Sequence, residues 1–219
     1  MRSGRLLGLD GDAAQLAAAG LVRLATKELL GGAAGAPAWV WRVRASAFAD
    51  TWLGFGEAST PGLRVPAGAA LRPLAYRAAE LVLAARQEDG PAALEWLGLR
   101  SAEARDEARR AGAAHPAEPA ALALVWHGVQ AIAEDAGRES QGRRIDERCE
   151  AYVRERHRRQ DTLALLLSCA RIAATALVEL SDGDPVQAGR CLEEHAARYM
   201  PHGGPVPLWV PGRPWQPAG

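Results

Sequence analysis

The stretch from Leu163 to Leu180 constrains the fold more than any other part of this sequence. Leu163, Leu166, Leu167, Ala170, Ala174 and Leu177 recur at helical spacing along one side, while Leu165 and Ile172 fall opposite. A helix that is apolar on nearly every side has to be enclosed by other elements. Arg171 and Glu179 interrupt the run, which favours a core helix over a membrane span. The rest of the chain must therefore supply amphipathic helices able to wrap it.

Several segments have that character. Asp10 or Asp12 is positioned to cap a first helix that runs to about Leu30, with Leu16, Leu21 and Leu24 near one face and Gly31-Gly32 as its stop. From Pro73 to a stop at Gly90, Leu74, Ala78, Leu81 and Ala85 share a face, and Pro91 fits the first turn of the next helix. After the joint His115-Pro116-Ala117-Glu118-Pro119, the residues Leu122, Val125, Val129 and Ile132 form a buried stripe closed by Gly137. Residues 143–159 read as a solvated helix, in which Glu150/Arg154 and Glu155/Arg159 have the favourable i, i+4 order. Asp161 can cap the central helix. Asp184-Pro185-Val186-Gln187 combines an N-cap, a first-turn proline and a capping-box residue for a last helix ending near Met200, with Ala188, Leu192, Ala196 and Tyr199 inward.

One region departs from this period. Trp39, Trp41, Val43, Ala45 and Ala47 alternate with Val40, Arg42, Arg44 and Ser46, the signature of a strand with Trp39 and Trp41 on its core face. Residues 52–55 and 63–65 are candidate partners, separated by turn residues such as Gly56, Pro61 and Gly62. The expected fold class is mainly α: a bundle of about six to seven helices, a small antiparallel β segment near residues 39–65, and an extended C-terminal tail. Residues 1–200 are expected to form a single helical domain, and 201–219 the tail. That tail holds six of the fourteen prolines and two of the seven tryptophans, a composition incompatible with a helix. No repeat of fixed period is evident.

The 219 residues can bury a core without staples, and 26 basic side chains balance 26 acidic ones. No global field draws such a chain to nucleic acid or to an anionic membrane. Lys27 is the only lysine, so the basic set is almost all arginine, as in a high-GC bacterial coding sequence. Cys149, Cys169 and Cys191 are three in number and lack a Cys-x-x-Cys, so they read as buried thiols in a reducing compartment. Asp10 and Asp12 cut short the apolar run after Arg5, which argues against a signal peptide. The cytoplasm is the expected location.

The chain carries few signatures of chemistry. There is no Gly-rich loop ending in Gly-Lys-Ser/Thr, no Gly-x-Gly-x-x-Gly, no Gly-x-Ser-x-Gly and no His-Glu-x-x-His. The two Asp-x-Asp pairs, Asp10/Asp12 and Asp182/Asp184, read as helix caps rather than metal ligands. Residues 92–112 have helix-turn-helix spacing: Ala93, Trp96 and Leu97 inward, Gly98 at the turn, Leu99 plugging the joint, Ala104 and Ala108 seating a second helix. Arg100, Arg105, Arg109 and Arg110 would then meet nucleic acid, although Glu103, Asp106 and Glu107 crowd the same surface.

Cys191 and His195 lie one helical turn apart but lack two further ligands at supporting spacing, so no metal is expected. His127 with Gln130 and Glu134, and His157 among Arg156, Arg158 and Glu155, are acid–base candidates if a pocket encloses them. Trp209, Arg213 and Trp215 in the tail can anchor a partner through large apolar burial. The expectation is a non-enzymatic intracellular interaction or regulatory protein with a protein partner, no cofactor and no membrane. The alternatives are a DNA-binding regulator and an enzyme whose pocket leaves no trace in the sequence, and homo-oligomerisation stays open.

Overall fold

The computed structural model describes residues 4–32, 38–54, 65–112, 116–133, 138–155 and 159–199. Among them are eight helices: α1 (Gly4–Gly32), α2 (Ala38–Trp52), α3 (Ala67–Ala85), α4 (Gly90–Arg110), α5 (Ala117–Ala133), α6 (Arg138–Glu155), α7 (Arg159–Leu180) and α8 (Pro185–Tyr199). Two short segments, β1 (Leu53–Gly54) and β2 (Val65–Pro66), pair in parallel, Leu53 with Val65 and Gly54 with Pro66. The described molecule is thus mainly helical.

The most extensive packing is between α3 and α7. α1 lies against both, and α5 packs on both. α4 and α6 pack chiefly on α5, α2 rests mainly on α1, and α8 leans on α1 and α7. α7 has the most extensive contacts of the bundle, with Leu165, Leu166, Cys169, Ala170, Ala173, Ala174 and Leu177 buried on its broad inner side, while Ala164, Arg171 and Glu179 form an exposed strip, so the helix is not enclosed on every side. The stripes expected on α3 and α5 are also inward: Leu74, Ala78, Leu81, Leu122, Val125 and Val129 are all buried.

Small residues set the spacing between these helices. On α5, a Cβ added at Gly128 would sit 2.8 Å from the Ala79 Cβ and 3.2 Å from the Ala75 carbonyl oxygen of α3. Contact that close requires glycine, because neither a backbone carbonyl nor an alanine can swing aside. At the α1–α2 crossing, a Cβ on Gly20 would collide with the Phe48 ring.

Caps and ion pairs fix the periphery. The Asp89 side chain accepts from Ala92 N at 3.0 Å, with Pro91 in the first turn of α4. Asp184 does the same for α8, accepting from Val186 N at 2.8 Å. Arg72 donates to Asp146 at 2.8 Å, tying α3 to α6, and Arg86 donates to Glu179 at 2.8 Å while stacking 5.1 Å from the Trp96 ring.

Several expectations need correction. Residues 39–47 belong to α2 rather than to a strand, and the β pair is parallel rather than antiparallel. Among the described side chains of α2, Ala45 and Ala49, four apart, are buried, whereas Val43 is exposed. Alternation among the larger residues concealed this helical face, because alanine contributes little to a hydrophobic pattern. Helix α1 begins before Asp10 and Asp12, which are therefore internal and not caps. Its buried face is Ala14, Ala17, Ala18, Leu21, Val22 and Ala25, and Leu16 is exposed.

Helix α3 starts at Ala67, so Pro73 is internal. The hydrogen bond it forgoes is offset by burial of Ala70, Leu71, Leu74 and Ala75 around it. That helix stops at Ala85 rather than Gly90, through Gln87 and Glu88 at positive φ, and Gly90 instead opens α4. Asp161 lies inside the first turn of α7, where its charge complements the helix dipole. The residues expected in the tail, 201–219, lie outside the described residues.

Candidate functional site

The helix-turn-helix expected over residues 92–112 is instead one continuous helix, the 21-residue α4. Gly98 is helical, and Leu99, expected to plug a joint, is 63% exposed. The reason is the stripe Ala93, Leu97 and Ala104, which stays buried only if the helix continues straight across Gly98 along α5. Gly98 lies over Trp126 of α5, where an added Cβ would be 3.7 Å from the indole. A single glycine costs a helix about 1 kcal/mol, less than the burial this stripe supplies.

Each of the four arginines considered for nucleic acid engages its own helix. Arg100 pairs with Glu103 at 3.5 Å, Arg105 donates to Ser101 Oγ at 2.7 Å, Arg109 pairs with Asp106, and Arg110 donates to the Asp106 carbonyl at 3.3 Å. These contacts form an exposed ladder of alternating charge with Leu99 set within it.

A second polar group lies at the seam of α5 and α6. His127 is 9% exposed and Gln141 6%, and His127 Nδ1 lies 3.0 Å from Gln141 Oε1. The Gln141 amide oxygen is an acceptor, so the ring nitrogen donates. Burial lowers the His127 pKa below its usual value. Hydrogen bonds to Gln141 and Gln130 oppose that shift, and Arg148 and Arg144 reinforce it. His127 is therefore a largely buried histidine whose ring is held by amides. Its partner is fourteen residues away on another helix, a pairing for which sequence spacing carries no signal. Glu134 and His157 lie outside the described residues, as does the His195 side chain.

Two of the cysteines are buried, and all three are free thiols. Burial pushes the Cys149 thiol up to about 12, with Asp146 adding to the effect and Arg72 opposing it. Burial and the neighbouring Cys149 raise Cys169 further. Both stay protonated at neutral pH and are poor nucleophiles. Tyr152 is raised to about 12 by burial, then by Asp161 and Cys169. Among the described residues no cluster of three or more His, Cys, Asp or Glu could hold a metal ion.

At the junction of α1, α2 and α7 a groove of about 110 Å³ is lined by Leu24, Ala25, Glu28, Ala45, Leu167, Ser168 and Arg171. Lys27 of α1 is half-buried. Its pKa is drawn down from 10.5 to about 8, first by burial and then by the positive charges of Arg23 and Arg44. Its status as the only lysine, with Arg23 one turn earlier, was visible in the sequence. Its approach to Arg44 depends on α2 being a helix packed on α1. Trp209, Arg213 and Trp215 lie outside the described residues. Comparison with known protein families, curated proteins and solved structures returns no match for this chain.

Proposed function

We propose that this chain is a non-enzymatic intracellular interaction or regulatory protein that meets a protein partner through its helical surfaces, with the Pro/Trp-rich residues 201–219 as a further contact. The observation that carries this reading is the mounting of α4. The helix is held through Ala93, Leu97 and Ala104, with Leu94 and Trp96 partly buried beside them, and presents its outer face with a leucine that is 63% exposed. An apolar anchor within a rim of charged side chains is the usual anatomy of a helix-borne contact. Arg100 and Arg109 of that rim pair with the carboxylates of Glu103 and Asp106, which favours a protein surface over phosphate as the target. The intracellular part of the reading is supported by the buried thiols Cys149 and Cys169.

The test is site-specific photocrosslinking in cells that produce the chain, with the photoreactive residue at position 99 and, as a control, at position 186, another exposed apolar site. One discrete protein adduct from position 99 that is missing from position 186 and reduced on deleting residues 201–219 is the expected result. The same diffuse background from both positions would refute the α4 surface. A nucleic-acid adduct would replace it with the DNA-binding alternative.

A further inference from the structure

The two halves of the described chain repeat one arrangement. The turn that ends α3 and the turn that ends α7 share a backbone path: Gln87 and Glu88 in the first, Asp182 and Gly183 in the second, are at positive φ. Their hydrogen bonds agree one by one under a constant offset. Arg86 N donates to Val82 O as Ser181 N does to Leu177 O, Gln87 N to Ala84 O as Asp182 N to Glu179 O, and Glu88 N to Leu83 O as Gly183 N to Val178 O. Asp89 and Asp184, equivalent under that offset, then cap α4 and α8. The same offset carries the core across. Leu71 and Leu166, Ala75 and Ala170, Ala78 and Ala173, Ala79 and Ala174, Ala93 and Ala188, and Leu97 and Leu192 are pairs of identical residues, all of them buried. Alanine is common in this chain, so these identities gain their weight from the backbone match.

Packing repeats as well. α1 lies on α7 as α5 lies on α3, α1 on α3 as α5 on α7, and α1 on α2 as α5 on α6. α4 packs on α5 and α8 on α1, so each half lends its last helix to the first helix of the other. The most extensive packing, α3 on α7, joins a helix to its own counterpart. A contact of that kind is isologous, with one patch meeting its equivalent. Arg86 and Glu179, 2.8 Å apart, hold the C-terminal ends of these two helices together. The halves differ between their second and third helices, where residues 53–66 include β1 and β2 while residues 156–158 join α6 to α7.

We propose that the chain is an internal duplication in which α1–α4 and α5–α8 are two copies of one four-helix unit, and that the surface along α3 and α7 is a self-association surface whose partner is a second such unit. A unit by itself leaves part of its third helix uncovered, because α3 is buried by α5 and α7 as well as by α1. A second copy covers that part with the same apolar surface, and a two-fold axis between α3 and α7 lets one patch serve both sides. Fusion in one chain holds the two units at a high effective concentration. The inference is independent of the α4 reading, since it concerns contacts made within the chain.

Two measurements test it. The first uses the full chain carrying Cys191→Ala, with Cys149 and Cys169 left in place because both are buried, and nitroxide labels on cysteines introduced at exposed positions. A two-fold axis exchanges Gln87 with Asp182 and Glu95 with Arg190, so the separation of positions 87 and 190 must equal that of 182 and 95. Pulsed electron–electron double resonance on Gln87→Cys/Arg190→Cys and on Asp182→Cys/Glu95→Cys should give superimposable distance distributions. Distinct peaks overturn the duplication. The second places a protease site between Gly112 and Pro116, in the connection from α4 to α5, and cuts the folded chain. The halves are expected to stay together at the mass of the uncut chain and, after passage into urea and back, to give pairs of like halves beside the mixed pair in native mass spectrometry. Halves that part as folded monomers, or recovery of the mixed pair alone, overturn the self-association surface. The distance measurement needs no refolding, and it decides the matter if the cut halves do not reassemble.

Discussion

Helices α7 and α4 are almost the same length, 22 and 21 residues, yet they occupy opposite environments. α7 meets α3, α1 and α5 and buries the wider side of its circumference, leaving a strip with Ala164, Arg171 and Glu179 exposed. α4 attaches mainly to α5 by Ala93, Leu97 and Ala104, with Leu94 and Trp96 partly buried, and leaves its outer face in solvent. Their lengths therefore say little about what each contributes. Burial of apolar area makes the first a stability element, while the second, held by a strip, is free to vary outside that strip.

The largest break in this comparison is expected from Leu177→Ala in α7, where the side chain is fully buried. Loss of its methyl groups plus the cavity left behind should cost about 2–5 kcal/mol, seen as a lower midpoint in urea denaturation. Leu177→Ala behaving like a surface change would mean that α7 is not the centre of the core.

A smaller effect is expected at the α5–α6 seam, and it depends on pH. The folded pKa of His127 lies below its unfolded value near 6.5, so around and below that pH the unfolded chain binds more protons than the folded one. The neutral histidine's contribution is fully present above the unfolded value and is lost as pH falls through the folded one. Denaturation midpoints at pH 7.5 and 5.5 should therefore converge more closely in His127→Gln than in the unmodified chain. An identical pH dependence in both would show that His127 titrates no differently after folding.

The smallest effect sharpens the comparison from the other side. Leu99→Gln, at an exposed position of α4, should change stability by no more than about 0.5 kcal/mol while reducing recovery of the partner that the position-99 crosslink identifies. A large loss of stability would mean that α4 is buried against something beyond this chain.

Much of the architecture was legible in the residues alone. The position of α7 followed from its broad apolar side, and the starts of α4 and α8 from Pro91 and from Asp184 with Pro185. Less of the candidate sites was legible. The His127–Gln141 hydrogen bond joins two helices, and the Lys27–Arg44 approach joins α1 to α2. Each depends on how helices cross, to which periodicity within one helix is blind. Where sequence reasoning failed, alanine or glycine was usually at the centre of the failure. Ala45 and Ala49 carried too little hydrophobic signal to outweigh the alternation around Trp39 and Trp41, and Gly98 resembled a turn.

By itself, then, the sequence determined that this chain folds mainly into helices around the apolar α7, because backbone caps and three-to-four spacing act within a few residues. Only the tertiary structure decided whether residues 38–52 coil or extend, whether α4 bends at Gly98, and which charged groups share a groove. Those choices are nearly balanced locally. They are resolved by whichever neighbouring surface buries the small side chains best: α1 beneath Ala45 and Ala49, and α5 beneath Ala93, Leu97 and Ala104.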